Sequence, residues 1–404
     1  MPMLTVIIVN YNVRFFLEQC LHSLYRAANG VSMEVMVIDN QSTDGSAAYI
    51  KKLFPEVKWI QNPKNLGFGA ANNKGIWLAR GQYTLLLNPD TLIPENTLIA
   101  CLSYVQENNT DATGIRMVDG CGAFLPESKR AFPAPLAAFF KLSGLASVFP
   151  RSAFFNQYAL GHLHPEANHA VEVLAGAFML VKTSTLTAVN GFDEKFFMYG
   201  EDVDLSYRLQ QYGGRPNAYF GTHPIIHFKG ESTNRASVEY LRHFYGAMHL
   251  FVQKHYGMAS RSRQAGALLL QLAIYSRAAI AAILMPLDKT KSHQAEFRAV
   301  VIVGNNRQTA SAKSIVEKND AVNAKIETTL PDKLMETLGK QQLPAKQCLI
   351  IWCISDDLLL TEVVALLPAV RSYARGIGYH LEGSKSIVGS TGSRSAGFSM
   401  AAAD

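Results

Sequence analysis

The stretch Leu4-Thr5-Val6-Ile7-Ile8-Val9-Asn10-Tyr11-Asn12 decides the fold. An unbroken apolar run of strand length, rich in β-branched residues and passing straight into polar ones, reads as a strand covered on both faces. The same shape recurs at Glu34–Ile38, which leads into Asp39-Asn40, and at Tyr83–Leu87, which leads into Asn88-Pro89-Asp90. Helix-period segments near Arg14–Arg26, Ser46–Leu53 and Ala70–Arg80 separate these runs, with a further short strand at Val57–Gln61. Strands alternating with helices predict a mostly parallel sheet wound by right-handed crossovers, in which ligands sit beyond the carboxyl ends of the strands. The polar residues of this region cluster at those ends, so Asn10, Tyr11, Asn12, Asp39, Asn65, Asn88 and Asp90 are expected around one crevice.

Beyond the opening sheet, residues 120–170 are rich in Pro, Phe, Ala and His without a clear period, an irregular insertion expected to shape a cleft. The pattern resumes with a strand Val173–Val181, a turn at Asn190-Gly191, a helix from about Glu201 to Tyr212, and short strands reaching His227. From Ala265 to Leu287 the chain is almost wholly apolar but carries Gln271, Ser276 and Arg277 in its middle. A central arginine is costly inside a bilayer, which favours an amphipathic helix lying on a membrane or on the neighbouring domain. A second α/β pattern runs from Val300 to Glu382, where Gly304-Asn305-Asn306 falls short of a full dinucleotide fingerprint. The Ser/Gly/Ala-rich tail from Ser384 reads as flexible. The expected organisation is therefore a first domain over 1–258, a helical linker over 259–294, and a small Rossmann-like α/β domain with a flexible tail over 295–404.

The 404 residues, 48% hydrophobic and only 17% charged, exclude a disordered or fibrous chain. Five scattered cysteines without a C-x-x-C pair exclude a disulfide framework and a zinc knuckle. The net charge of +6 suits an anionic small partner or a phospholipid surface as well as ordinary solubility, and no nucleic-acid partner is expected. No charged leader precedes Leu4, so the expected location is cytoplasmic, with peripheral contact to the inner membrane face.

Each polar candidate has a structural and a chemical reading. Asp39 can accept hydrogen bonds from a base or ribose, or act as a turn residue; Asp44 and Ser46 read as caps. In Asn65-Leu66-Gly67-Phe68-Gly69-Ala70-Ala71-Asn72-Asn73, glycines at a helix start suit an anion such as a pyrophosphate, or a plain turn. Asp90 can hold a divalent cation or a turn. Glu201-Asp202-Val203-Asp204 reads as first-turn capping, yet three carboxylates in four residues repel one another and can raise one of them toward a proton-abstracting role. His227 can complete a cation site with Lys229 and Ser232 near phosphate oxygens, although a single histidine is usually structural.

Taken together, Val9 to Asn12, Val37 to Asn40, Asn65 to Asn73, Leu87 to Asp90, Ala175-Gly176-Ala177, and Gly191-Phe192-Asp193-Glu194 through Phe197 to Leu205 resemble family 2 glycosyltransferases, in particular the bacterial rhamnosyltransferase-like branch. The resemblance implies a GT-A fold: a Rossmann-like mixed sheet flanked by helices, its nucleotide half followed by an acceptor half. It implies that Asp39 contacts the base of a nucleotide-diphosphate sugar and that Asp90 and His227 hold Mg²⁺ or Mn²⁺. It further implies Asp202 as general base, Glu201 orienting acceptor or base, and Gly176 and Ala177 beside the donor sugar. Asn10, Tyr11, Asn12, Asn65, Gly67, Phe68, Asn73, Asn88, Lys229 and Ser232 complete the donor set. Asn88 stands where many relatives carry the first aspartate of D-x-D, which weakens the expected metal site by one carboxylate. The implied function is inverting, metal-dependent transfer of a sugar, with rhamnose the sugar the branch suggests, to a glycan or lipid-linked glycan in cell-surface polysaccharide synthesis. The rival reading is a catalytically silent nucleotide-sugar-binding scaffold. Around Ser386 to Gly397 the chain also resembles the nucleotide-binding-like domain of bacterial polyprenyl sugar-phosphate transferases.

Overall fold

A computed structural model describes residues 1–230, 238–256, 297–319, 324–340, 347–392 and 397–401. The apolar stretch 265–287 and Ser232 lie outside the described residues. The expected alternation of strands and helices opens the chain, and its strands are β1 (Leu4–Asn10), β2 (Met33–Asp39), β3 (Lys58–Gln61) and β4 (Tyr83–Leu87). Helices α1 (Arg14–Ala27), α2 (Ser46–Leu53) and α3 (Phe68–Ile76) connect them. There follow β5 (Thr91–Leu92), α4 (Thr97–Glu107), β6 (Ala112–Val118), α5 (Pro135–Leu142), α6 (Leu145–Val148) and β7 (His169–Val171). The region closes with β8 (Phe178–Lys182), α7 (Thr183–Ala188), α8 (Glu201–Gly213), β9 (Asn217–His227) and α9 (Val238–Tyr256).

The strands form one nine-stranded sheet in the order β3-β2-β1-β4-β8-β6-β9-β5, with β7 on β9. β1, β2, β3 and β4 are parallel, whereas β8 runs antiparallel to β4 and β6. The sheet is therefore mixed, as a GT-A unit requires. Every residue of β1 and β4 is buried, which is why both read as continuous apolar runs.

Several boundaries differ from the sequence reading, and the helix expected near Ala70–Arg80 runs over Phe68–Ile76. The expected strand Val173–Val181 starts only at Phe178, because Val173 instead bridges Arg130 and the Ala175-Gly176-Ala177 segment turns over the sheet edge. The expected short strands before His227 are a single strand of 11 residues. The irregular insertion also holds two short helices, α5 and α6.

A second, six-stranded sheet comprises β10 (Ala299–Val303), β11 (Lys325–Thr329), β12 (Cys348–Ile354), β13 (Gly376–Leu381), β14 (Ser386–Ser390) and β15 (Phe398–Ala401), in the order β11-β10-β12-β13-β14-β15. The tail expected to be flexible instead supplies β14 and β15, an antiparallel extension of the sheet. Composition misled here because the small residues of Ser386–Ser390 are all buried, and their partners lie 367 residues away on α1. Glu18 accepts from the Ser386 hydroxyl at 2.5 Å and the Lys385 amide at 2.7 Å, and Gln19 bonds Ser386 O at 2.6 Å and the Leu381 amide at 3.1 Å. Burial raises Glu18 above the usual carboxylate range despite those donors. Glu95 receives the Leu360 and Thr361 amides at 2.9 and 3.0 Å, capping the helix Leu360–Val370 from the other sheet's side. Phe16 and Phe228 of the first region share one apolar core with Trp352 and Tyr379 of the second.

Candidate active site at the carboxyl edge

Strand register lines up the site. Asn10 is paired with Asp39 and Asp39 with Gln61, while the Asn88 amide bonds Ala177 O at 3.0 Å just beyond β4. A row of polar groups thus crosses β2, β1, β4 and β8, about 14 Å from end to end at the usual strand spacing. Asp202, at the start of α8, closes this row, with its Oδ2 3.5 Å from the Gly176 amide. Asp39 thus ends β2 and Asp90 follows the carboxyl end of β4, and Asp202 lies beside the turn that leads into β8.

At the first end, Asp39 is 1% exposed and accepts from Asn10 Nδ2 at 2.7 Å, the Ser42 amide at 2.8 Å and Gln61 Nε2 at 2.5 Å. Those three bonds leave the carboxylate about one of its four acceptor positions. Asn10 Oδ1 is buried and has no hydrogen-bond partner. Exposed Asn12, with φ of 55°, takes the Thr43 amide on its side chain at 2.7 Å, pinning the two loops together, and Tyr11 is half-buried beside it. Asp44 accepts from the Arg14 amide at 2.8 Å and the Ser46 amide at 3.0 Å, the capping role expected of it.

Asn65 accepts the Gly67 amide at 2.9 Å, shaping the turn into α3. Gly67 has φ of +83°, and a Cβ there would lie 2.2 Å from Phe197 O, so only glycine lets the two loops meet. Phe68 contacts Phe192 edge-on at 5.8 Å and faces Gly176. Asn73, expected among the donor contacts, is clamped elsewhere: its amide nitrogen donates to Phe192 O at 3.0 Å and Glu194 Oε1 at 2.9 Å, and its oxygen takes the Phe192 amide at 2.8 Å.

In the middle of the row, the antiparallel pair β5 and β9 sets Thr91 opposite His227 and so brings His227 Nε2 to 3.3 Å from Asp90 Oδ1. Buried His227 Nδ1 and the Asn88 Oδ1 have no hydrogen-bond partner. Among the described residues no group of three or more His, Cys, Asp or Glu forms a metal cluster. Asp90 and His227, 3.3 Å apart, nevertheless offer one oxygen and one nitrogen that fit a hard cation keeping waters and taking substrate oxygens. Lys229 does not point free into the crevice: it ion-pairs Glu127, which burial would raise but which the ammonium holds below the usual carboxylate range.

At the far end, Glu201 is 8% exposed and its Oε2 has no hydrogen-bond partner. Burial, with Asp202 next to it, pushes Glu201 up to about 8. Burial is the larger cause and the Asp202 charge the smaller, so the expected rise falls on Glu201 mainly because it is buried. Asp204 escapes it, since His255, Arg208 and Lys254 outweigh its burial and hold it down at about 2. Asp202 is fixed from both sides, its Oδ1 by the Val203 amide at 2.8 Å and its Oδ2 by Arg130 Nη2 at 2.5 Å. Burial works against the charge on Arg130, but Asp202 and Tyr158 overcome it and raise the guanidinium above its usual range. Arg130 was missed by the sequence reading, because it belongs to no motif and sits in the aperiodic insertion; the adjacent Lys129-Arg130 pair among apolar residues is the one trace it leaves.

A row of carboxylate, amide and imidazole groups along one edge of a mixed α/β sheet suits a polar, anionic ligand. Residues 5–163 match the family model of glycosyl transferase family 2. The chain is 29% identical over 269 residues to the N-acetylglucosaminyl-diphospho-decaprenol L-rhamnosyltransferase of Mycobacterium tuberculosis, covering 63% of this chain and 85% of that protein. It is 25% identical over 238 residues to the rhamnosyltransferase WbbL of Escherichia coli, covering 56% and 83%. The S. aureus protein TarS in complex with UDP-GlcNAc aligns with a TM-score of 0.45 and 19% identity over 72% of this chain and 77% of that one. By these matches the N-terminal part of the chain is similar to family 2 glycosyltransferases, and the names of the relatives support a glycosyltransferase.

Proposed function

We propose that residues 1–258 transfer a sugar, of the rhamnose type by the names of the relatives, from a nucleotide-diphosphate donor to a lipid-linked glycan, with inversion. One observation carries the reading: Asn10 Oδ1, Asn88 Oδ1, His227 Nδ1 and Glu201 Oε2 are buried polar atoms without partners, and all lie along the same carboxyl edge. Buried atoms without partners occur elsewhere among the described residues as well, but these four sit on segments beside one sheet edge, where the polar atoms of a ligand would satisfy them.

In this reading Asn10 and Asp39 receive the base, and the amides at the start of α3 face the diphosphate with the helix dipole behind them. Asp90, His227 and Asn88 are the residues that would hold Mg²⁺ or Mn²⁺. A cation there supplies charge neutralisation for the departing nucleoside diphosphate. Asp202, fixed by Arg130 and the Val203 amide, takes the proton of the acceptor hydroxyl as its oxygen bonds to the anomeric carbon and the bond to the diphosphate oxygen breaks. Glu201, held protonated near neutral pH, donates a hydrogen bond that orients the acceptor beside Asp202. The test is a panel of nucleotide-sugars assayed for hydrolysis and transfer with and without chelator. One donor turned over in a chelator-sensitive way supports the reading; binding without turnover of any donor would favour the silent scaffold.

A further inference from the structure

The insertion between β6 and β7 carries a surface that the transfer chemistry does not use. Leu136, Phe139, Val148, Phe149 and Phe154 are each 46% to 68% exposed. The three phenylalanines form one patch, because buried Phe140 touches Phe139, Phe154 and Phe155 at 5.0 to 5.8 Å between ring centres, and Phe149 stacks on Phe155 at 5.0 Å. A chain that folds alone rarely shows water so many adjoining rings. The charge pattern says what covers them: from Ser128 to Pro165 the sequence contains neither Asp nor Glu, and of its basic residues Lys129 and Arg130 are turned inward while Arg151 is exposed. Exposed Arg151 lies between Phe149 and Phe154 in sequence. Aromatic side chains combined with basic residues and no acidic ones are the composition of a segment that beds into an anionic lipid interface.

The patch also connects with the site. Lys129 Nζ bonds Leu160 O at 2.6 Å, the Ala131 amide bonds Tyr158 O at 2.9 Å, and Arg130 between them holds Asp202. The insertion is thus anchored at its base to the residue that faces the acceptor.

We propose that this aromatic face of α5, α6 and the Phe149–Phe155 segment, with exposed Arg151 in that segment, docks on an anionic bilayer surface, presenting Asp202 to an acceptor held in that membrane. Its orientation rests on the transferase reading, but vesicle binding is measured without donor or acceptor, so the two fail separately.

The experiment is co-sedimentation of the full chain with vesicles of phosphatidylcholine alone or mixed with phosphatidylglycerol, alongside sedimentation velocity without lipid. The wild type is expected to bind the mixed vesicles and hardly the neutral ones. F139S/F154S should weaken that binding by about tenfold or more, and R151E should weaken it on mixed vesicles only, with donor hydrolysis in solution unchanged. Should the double variant fold poorly, V148S with R151E asks the same question at residues with little packing to lose. Wild-type protein that ignores mixed vesicles, or variants that bind them as well as wild type, would overturn the proposal. So would a wild-type dimer that F139S/F154S splits while vesicle binding stays intact, since the patch would then be an interface between copies of the chain.

Discussion

Replacing Glu201 by Gln removes a carboxyl that the fold holds far from its ordinary behaviour, and the size of the effect follows from that displacement. An unfolded chain gives up the Glu201 proton near 4.5, whereas in the folded protein burial and the Asp202 carboxylate hold the proton until about 8. Below 4.5 the group is neutral in both states and costs nothing. Between the two values the unfolded state releases a proton that the folded state keeps, so stability falls by about 1.4 kcal/mol per pH unit and levels off above the upper value. From about pH 5 to about pH 7.5 the wild type should lose about 3 kcal/mol that Glu201→Gln does not lose. Thermal melts across that range should diverge by roughly 6 °C or more at the alkaline end, with the variant higher. Parallel melting curves would show that Glu201 ionises normally and would refute the account of this carboxyl. The same proton sets an alkaline limb in activity: wild-type transfer should decline above about pH 8, and Gln, which still donates a hydrogen bond, should flatten that decline.

Asp90→Ala and His227→Ala should each weaken donor binding in the presence of Mn²⁺ by about tenfold or more, read by calorimetry, with little change when a chelator is present. Gly176→Ala places a methyl at ordinary contact distance from Phe68 and Asp202, 3.4 and 3.5 Å, so its melting temperature should match wild type while transfer drops because the methyl enters the donor-sugar side of the cleft. Glu18→Ala leaves the buried Ser386 hydroxyl without its acceptor, a loss of about 1–3 kcal/mol, and frees the part-buried Lys385 amide at a smaller cost. Limited proteolysis should then release the second sheet from the first, and an unchanged digestion pattern would deny that Glu18 fastens them.

The parallel core of the fold was legible because β1, β2 and β4 are buried on both faces, and their sequences show it as apolar runs that stop at polar residues. The row of polar groups at the sheet edge was legible for the same reason, since Asn10, Asp39 and Asn88 stand directly at those stops. What the sequence hid depends on distant partners. The Ser/Gly/Ala tail becomes buried strands only because α1, far away in the chain, offers Glu18 and Gln19 to its polar atoms. Arg130 emerges as the partner of Asp202 only once the insertion folds back over α8. The clamped Asn73 and the paired Lys229 show the converse, where a residue type suited to phosphate or sugar is already committed to Phe192, Glu194 or Glu127.

The claim on which the mechanism stands is that Asp202 acts on the acceptor's proton rather than holding the donor. Asp202→Asn keeps the shape of the side chain beside Arg130 and Gly176 and removes the base. Calorimetry of the variant with the donor and Mn²⁺ should give a Kd within about twofold of wild type, while the transfer rate falls by about 10² to 10⁴. Transfer at the wild-type rate, or a donor affinity that collapses along with it, would contradict the account.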